Sequence, residues 1–191
     1  MVVSIFFINW PVYEPRRDDL SSCLPMAQNM VHWVPRDEGW VKENFDEAYK
    51  GNLGVSGVGM VFRDWKGNIL ALVSQKLDRG TNNEVEAQAT LMVIEWGLKL
   101  GFSKLDLEGD SLIIFNTLIK GETQAWILDD FVKKMKHDLN FFNDFKISHI
   151  CRTGNEVAVV LSKWATSFEL EKATHLEDFQ NLVNDDVEVD F

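Results

Sequence analysis

Near Thr81 the sequence changes its hydrophobic period, and that change constrains the fold more than any other feature. Before it lie three apolar, strand-like runs, at about 40–49, Ser56–Asp64 and Ile69–Lys76. The links between them are short and rich in glycine and asparagine, Lys50-Gly51-Asn52-Leu53-Gly54 and Trp65-Lys66-Gly67-Asn68. Runs of this length with such links predict an antiparallel meander. After Thr81-Asn82-Asn83, a helix N-cap cluster, the only breaker between Glu84 and Leu100 is Gly97. Val85, Ala89, Met92 and Trp96 share one helical stripe there, and Gly101 closes the helix. A fourth strand follows at Lys104–Asp110, then helices from Ser111 to about Lys120 and from Trp126 to Phe142. A fifth strand at Phe145–Cys151 and a helix from Asn155 to about Phe168 complete the pattern. The order βββαβααβα makes the later strands candidates for parallel pairing, so the expected fold is α/β with a mixed five-stranded sheet flanked by helices.

A chain of 191 residues suffices for one core-bearing domain with tails. The expected division is an irregular N-terminal arm at 1–30, a domain at 31–168 and an acidic tail at 169–191. The tail carries eight acidic side chains against Lys172 alone, most of the net charge of −11. So acidic a protein is a poor general binder of phosphate backbones, and any contact with nucleic acid has to be local or metal-assisted. Cys23 and Cys151 have no ligand-like spacing and suggest neither a disulfide scaffold nor a zinc site, which points to a reducing, intracellular setting, nuclear or cytoplasmic. The apolar start, Met1–Ile8, is too short to span a bilayer and lacks a basic flank, so it reads as neither signal peptide nor anchor, and no membrane partner is expected.

Three carboxylates occupy comparable places. Asp46 lies within the first strand, Glu86 in the first turns of the first helix, and Asp110 at the carboxyl end of the fourth strand. In open α/β sheets, sites gather where strands end. Converging carboxylates repel unless a cation joins them, and an all-oxygen set suits Mg²⁺ or Mn²⁺. Spacing alone does not separate this from the bland alternative, in which each carboxylate faces water.

Five ordered motifs add to this reading. They are Trp33-x-Pro35-x₃-Gly39-Trp40-Val41-Lys42-x-Asn44-Phe45-Asp46-x-Ala48, Gly57-Val58-Gly59-x-Val61-Phe62-Arg63-Asp64-x₂-Gly67, Asn83-x₂-Glu86-Ala87-x-Ala89-x-Leu91, Leu107-Glu108-Gly109-Asp110-Ser111, and His149-Ile150-x-Arg152-x₂-Asn155-x-Val157-Ala158. Together they resemble the plant ribonuclease H-like domains related to retroelement reverse transcriptases, over about residues 31–168. The resemblance implies a ribonuclease H fold with sheet order 3-2-1-4-5. It also implies that Asp46, Glu86 and Asp110 are catalytic metal ligands for hydrolysing the RNA of an RNA–DNA hybrid. Two positions depart from the family pattern. Glu47 stands where glycine is usual, and Val159 stands at the fourth carboxylate position, with Glu156 one helical turn earlier as the candidate substitute. A valine cannot bind metal, so activity is expected to be weakened. The alternative is a catalytically inactive remnant that binds nucleic acid or protein on the same fold.

Asn82 and Asn83 read first as helix caps, and their amides near Glu86 are candidates to meet the minor groove, where 2′-hydroxyls mark RNA. Arg63 and Lys42 are candidate phosphate contacts or solvated strand residues. Lys133, Lys134, Lys136 and His137 form the one basic patch, best read as a solvated helix face. His149 is expected to be structural, and Trp33, Trp40, Trp96 and Trp164 to be core residues.

Overall fold

The structure, a computed structural model, describes residues 3–6, 34–51, 54–109, 116–118, 128–150 and 154–167. Expectations concerning Asp110, Cys23, Cys151, Trp33, most of the arm at 1–30 and the tail at 169–191 lie outside the described residues. In chain order the elements are β1 (Val3–Phe6), β2 (Val41–Tyr49), β3 (Ser56–Arg63), β4 (Ile69–Leu77), α1 (Asn82–Lys99), β5 (Lys104–Gly109), α2 (Asp129–Leu139), β6 (Asp144–His149) and α3 (Glu156–Ala165). Of the helix expected at 111–120, Asn116–Leu118 are described and are helical.

The six strands form one sheet in the order β1-β4-β3-β2-β5-β6. β2, β3 and β4 make the antiparallel meander, and β5 and β6 add to it in parallel. Counted from Val41, the five strands have the expected order 3-2-1-4-5. The sixth strand corrects the reading of residues 1–30 as wholly irregular. Val3–Phe6 pairs antiparallel with the outer edge of β4, Val3 opposite Gln75 and Phe6 opposite Leu72. A short β-branched and aromatic run suits an edge strand, and it shields backbone groups that β4 would otherwise present.

Local chemistry explains the turns. The Asp64 carboxylate accepts backbone N–H bonds from Lys66 (2.8 Å) and Asn68 (2.9 Å), and Gly67 between them takes a φ of +88°. At the start of α1 the cap is Thr81. The Glu84 carboxylate accepts from the Thr81 backbone N–H and from its hydroxyl, each at 2.8 Å. This is a capping box, and these bonds hold the Glu84 carboxyl below the usual range, the backbone bond most strongly. Asn82 and Asn83, expected as caps, instead lie in the first turn with exposed side chains.

Strand alternation divides the sheet into two faces. One carries Val41, Phe45, Met60, Phe62, Val73, Leu105 and Leu107, packed with Val85, Ala89, Val93 and Trp96 of α1 and Met135 and Leu139 of α2. Trp96 is buried, and its indole N–H donates to Gln75 at 3.0 Å. The other face receives α3, which comes unusually close. A Cβ built on Gly59 would stand 2.3 Å from the Ala158 carbonyl oxygen and 2.4 Å from Leu161 Cβ, and one on Gly57 would stand 2.4 Å from Ala165 Cβ. Glycine on β3 is therefore what lets the helix seat. Gly59→Ala should cost about 3 kcal/mol, since helix backbone cannot give way as a flexible side chain does. A urea midpoint equivalent to a loss under about 1 kcal/mol would show that α3 is not held where described.

One buried residue breaks the pattern of the core face. Glu43 follows Val41 and precedes Phe45 on that face, opposite Phe62 and beside Leu107, and it is 0% exposed. Among the described residues neither of its carboxyl oxygens meets a hydrogen-bond donor. Burial pushes its pKa well above the usual carboxylate range and so favours its protonated form in the folded protein. The folded state then binds a proton that the unfolded chain releases. The stability cost is absent below the usual carboxylate range and grows as pH rises through the folded value. Urea midpoints of the wild type and Glu43→Gln should therefore converge at about pH 4 and diverge by about pH 8, with the variant more stable at the higher pH. Parallel curves would mean that Glu43 is already ionised in the fold.

Candidate active site

Asp46 sits three residues from the carboxyl end of β2, opposite Gly59. It is 1% exposed and faces α3. Its Oδ2 accepts a hydrogen bond from Ser162 Oγ at 2.6 Å. Three contacts fix the helix around this carboxylate. Asn155 Nδ2 donates to the Phe45 carbonyl at 2.6 Å, Ser74 Oγ donates to the Leu161 carbonyl at 2.9 Å, and Ser162 makes the bond just described. Val159 is half-buried, one turn before Ser162, and Glu156 is exposed at the first turn.

The parallel ladder between β2 and β5 ends at Asn44 opposite Glu108, and β5 itself ends at Gly109. Asp46 thus lies just past the last paired residue, where the two strands stop sharing hydrogen bonds. The first turn of α1 reaches the same end of β2, because Asn82 Nδ2 donates to the Tyr49 hydroxyl at 3.1 Å. Glu86, half-buried, follows Asn82 by four residues and so shares its helix face. Tyr49, Thr81, Asn82 and Asn83 line an open cleft of about 520 Å³ there. Asp46 therefore faces α3 on one side of the sheet, and Glu86 belongs to the helix on the other, whose first turn lies at the carboxyl end of β2. Asp110 lies outside the described residues, and among those described no group of three or more His, Cys, Asp or Glu side chains is placed to hold a metal.

The structure does not bring Arg63 to that cleft. It pairs with Lys42, seven residues before Tyr49 on β2, a separation of about 23 Å along the strand. Its guanidinium donates to Asn44 Oδ1 at 2.8 Å, and Asn44 and Lys42 in turn donate to the two Glu108 oxygens at 2.9 and 2.7 Å. Burial pulls the Arg63 pKa down to about 10, against the pull of Glu108, and leaves it charged at neutral pH. Arg36 forks onto Asp106 beside this group, with Nη2 to Oδ1 at 3.1 Å and Nε on Oδ2. Lys42 is only 3% exposed, so neither the solvated-strand reading nor a direct phosphate contact describes it. In the basic patch of α2, Lys134 pairs with Glu95 of α1 and with Asp138 (3.0 Å), while Lys133, Lys136 and His137 are exposed.

Sequence reasoning passed over Ser162. Its signal was nonetheless present, because Ala158, Leu161, Ser162 and Ala165 form the buried stripe of α3 and Ser162 is the one hydroxyl among them. A polar residue on an otherwise apolar stripe has to meet a partner, here Asp46.

Comparison with known proteins agrees with this architecture. Halobacterium salinarum ribonuclease HI is 33% identical over 136 residues, which span 69% of this chain and 66% of that protein. An Arabidopsis thaliana protein named for ribonuclease H is 31% identical over 150 residues, 76% of this chain but 24% of the relative. The chain thus spans under two thirds of the length of either. Among solved structures, the ribonuclease H1 of Halobacterium salinarum superposes with a TM-score of 0.64 at 32% identity, covering 71% of this chain and all of that one. A ribonuclease H1 isolated from compost, crystallised with an RNA/DNA hybrid, gives a TM-score of 0.60 at 25% identity, covering 71% of this chain and 99% of that one. Residues 44–165 match the profile of the reverse transcriptase-like family. The chain belongs to that family, and its domain is of the ribonuclease H type.

Proposed function

We propose that this domain hydrolyses the RNA strand of RNA–DNA hybrids slowly, with a divalent metal held by Asp46, Glu86 and Asp110. The observation that carries the reading is the placement of Asp46, buried and hydrogen-bonded at the open carboxyl end of β2, within reach of the helix whose family position for a carboxylate is Val159. Asp110 enters this reading from the motif Leu107-Glu108-Gly109-Asp110-Ser111. Ribonucleases H generally use a divalent metal. The donors available here are carboxylate oxygens without His or Cys, which suits a hard cation, Mg²⁺ or Mn²⁺. Such an ion supplies charge to stabilise the attacking and leaving oxygens of a phosphodiester.

The protein's own groups supply position. In this reading Asp46 contributes from the face of β2 against α3 and Glu86 from the first turns of α1 on the other face. The exposed amides of Asn82 and Asn83 border the cleft beside Glu86 and suit hydrogen bonds to a hybrid's minor groove, where the 2′-hydroxyl distinguishes RNA. Arg63 is occupied in its own network and contributes no contact at this cleft. Val159 offers an apolar surface where a fourth anionic ligand would stand, and Glu156 is exposed one turn away. A second ion is therefore held poorly, which makes the cleavage slow. That same valine favours the second reading, a non-catalytic module that binds hybrids without cutting them.

Cleavage of a labelled RNA–DNA hybrid separates the two. With Mg²⁺ or Mn²⁺ the wild type should cut slowly, Asp46→Asn should abolish cutting, and Val159→Asp should raise the rate on the order of tenfold, about 1.4 kcal/mol of barrier. Hybrid retained on the protein but uncut by wild type and Val159→Asp alike would establish the binding module instead.

A further inference from the structure

The role of α3 in this site follows from Ser162. Its hydroxyl carries one proton and has two acceptors within reach, Asp46 Oδ2 at 2.6 Å and the Val159 carbonyl at 2.9 Å. A carboxylate is the stronger acceptor, so the proton goes to Asp46 when that group is ionised. Both residues are buried, Ser162 at 0% and Asp46 at 1% exposure, so water does not replace this bond if it is lost. The hydroxyl is also held in place. Gly59 lets the helix backbone stand against β3 at the Ala158–Ser162 turn, Ser74 of β4 donates to the Leu161 carbonyl in that turn, and Asn155 at the helix N-cap donates to the Phe45 carbonyl of β2. The backbone that carries Ser162 is thereby held beside Asp46.

We infer that Ser162 is a positioning residue, through which α3 orients the Asp46 carboxylate for a divalent cation although the helix offers no ligand at Val159. The inference rests on the proposed function, because it takes Asp46 as a metal ligand. Donors that hold a ligating group in one orientation raise its affinity for the ion, and their removal typically costs about 10–100-fold. The helix on which the family resemblance places a fourth carboxylate here acts one turn later, through a hydroxyl and through another residue's carboxylate. This separates two contributions of α3 that a carboxylate at 159 would merge, direct ligation and orientation of Asp46.

Calorimetric titration of the whole chain with Mn²⁺, in the absence of nucleic acid, tests this, with thermal melts recorded on every variant. Wild type should bind, Asp46→Asn should lose binding, and Ser162→Ala should bind about tenfold more weakly while still melting cooperatively. Ser162→Thr, which keeps the donor, should restore wild-type affinity. If its extra methyl group lowers the melt, the alanine variant decides alone. Wild-type or tighter affinity in Ser162→Ala, with Asp46→Asn still defective, would overturn the role of Ser162 and leave the metal assignment standing. A normally folded threonine variant that failed to restore binding would overturn that role in the same way. No Mn²⁺ binding by the wild type, or unchanged binding in Asp46→Asn, would overturn both.

Discussion

The arrangement depends on how closely one helix approaches one strand. α3 lies with its backbone against β3, at a distance that no side chain on Gly57 or Gly59 would permit. With the helix at this height, the Asn155 amide reaches the Phe45 carbonyl, the Leu161 carbonyl reaches Ser74, and the Ser162 hydroxyl reaches Asp46. The same contact leaves Val159 near the carboxylate and half-covered. The scaffold of the site is thus set by missing atoms on the sheet as much as by the polar groups that fill the space.

The two faces of the sheet handle charge differently. On the α3 side, Lys42, Asn44, Arg63 and Glu108 link through hydrogen bonds, so buried charge has its counter-charge beside it. On the α1 side, Glu43 is set among apolar neighbours without a hydrogen-bond donor among the described residues, and burial raises its pKa instead. Alternation along β2 therefore places charged, paired groups on one side and a desolvated acid on the other, within a single strand. Neither arrangement is needed to form a strand, and both depend on what the opposing layers bring to it.

This explains which features were legible in the amino-acid sequence. The meander, α1 and the parallel additions followed from local periods and from glycine-bearing turns, and the strand order followed from the family motifs. Asp46 and Glu86 were legible as acids at the ends of elements. Ser162 was not, because its role exists only once α3 and β2 are adjacent, 116 residues apart along the chain. Glu43 looked like any charged residue in an alternating strand, since alternation does not say which face is dry. Thr81 and Glu84 spell a capping box, and the asparagines between them, equally good caps by residue type, fall inside the first turn. Arg63 and Lys42 read as surface cations because nothing local announces Glu108 as their neighbour.

The strand at Val3–Phe6 bears on how the molecule assembles. β2, β3 and β4 join by turns of a few residues, so their pairing closes small loops and can form early. Joining Val3 to Gln75 closes a loop of about 70 residues and adds four residues of ladder to a sheet edge already built. The entropy of that closure is met only by a short strand, so its docking belongs late on the folding route and its release early on the unfolding one. Amide hydrogens on the β4 positions facing it should accordingly exchange through a local opening, independently of those in the ladder between β3 and β4, which report the whole fold coming apart.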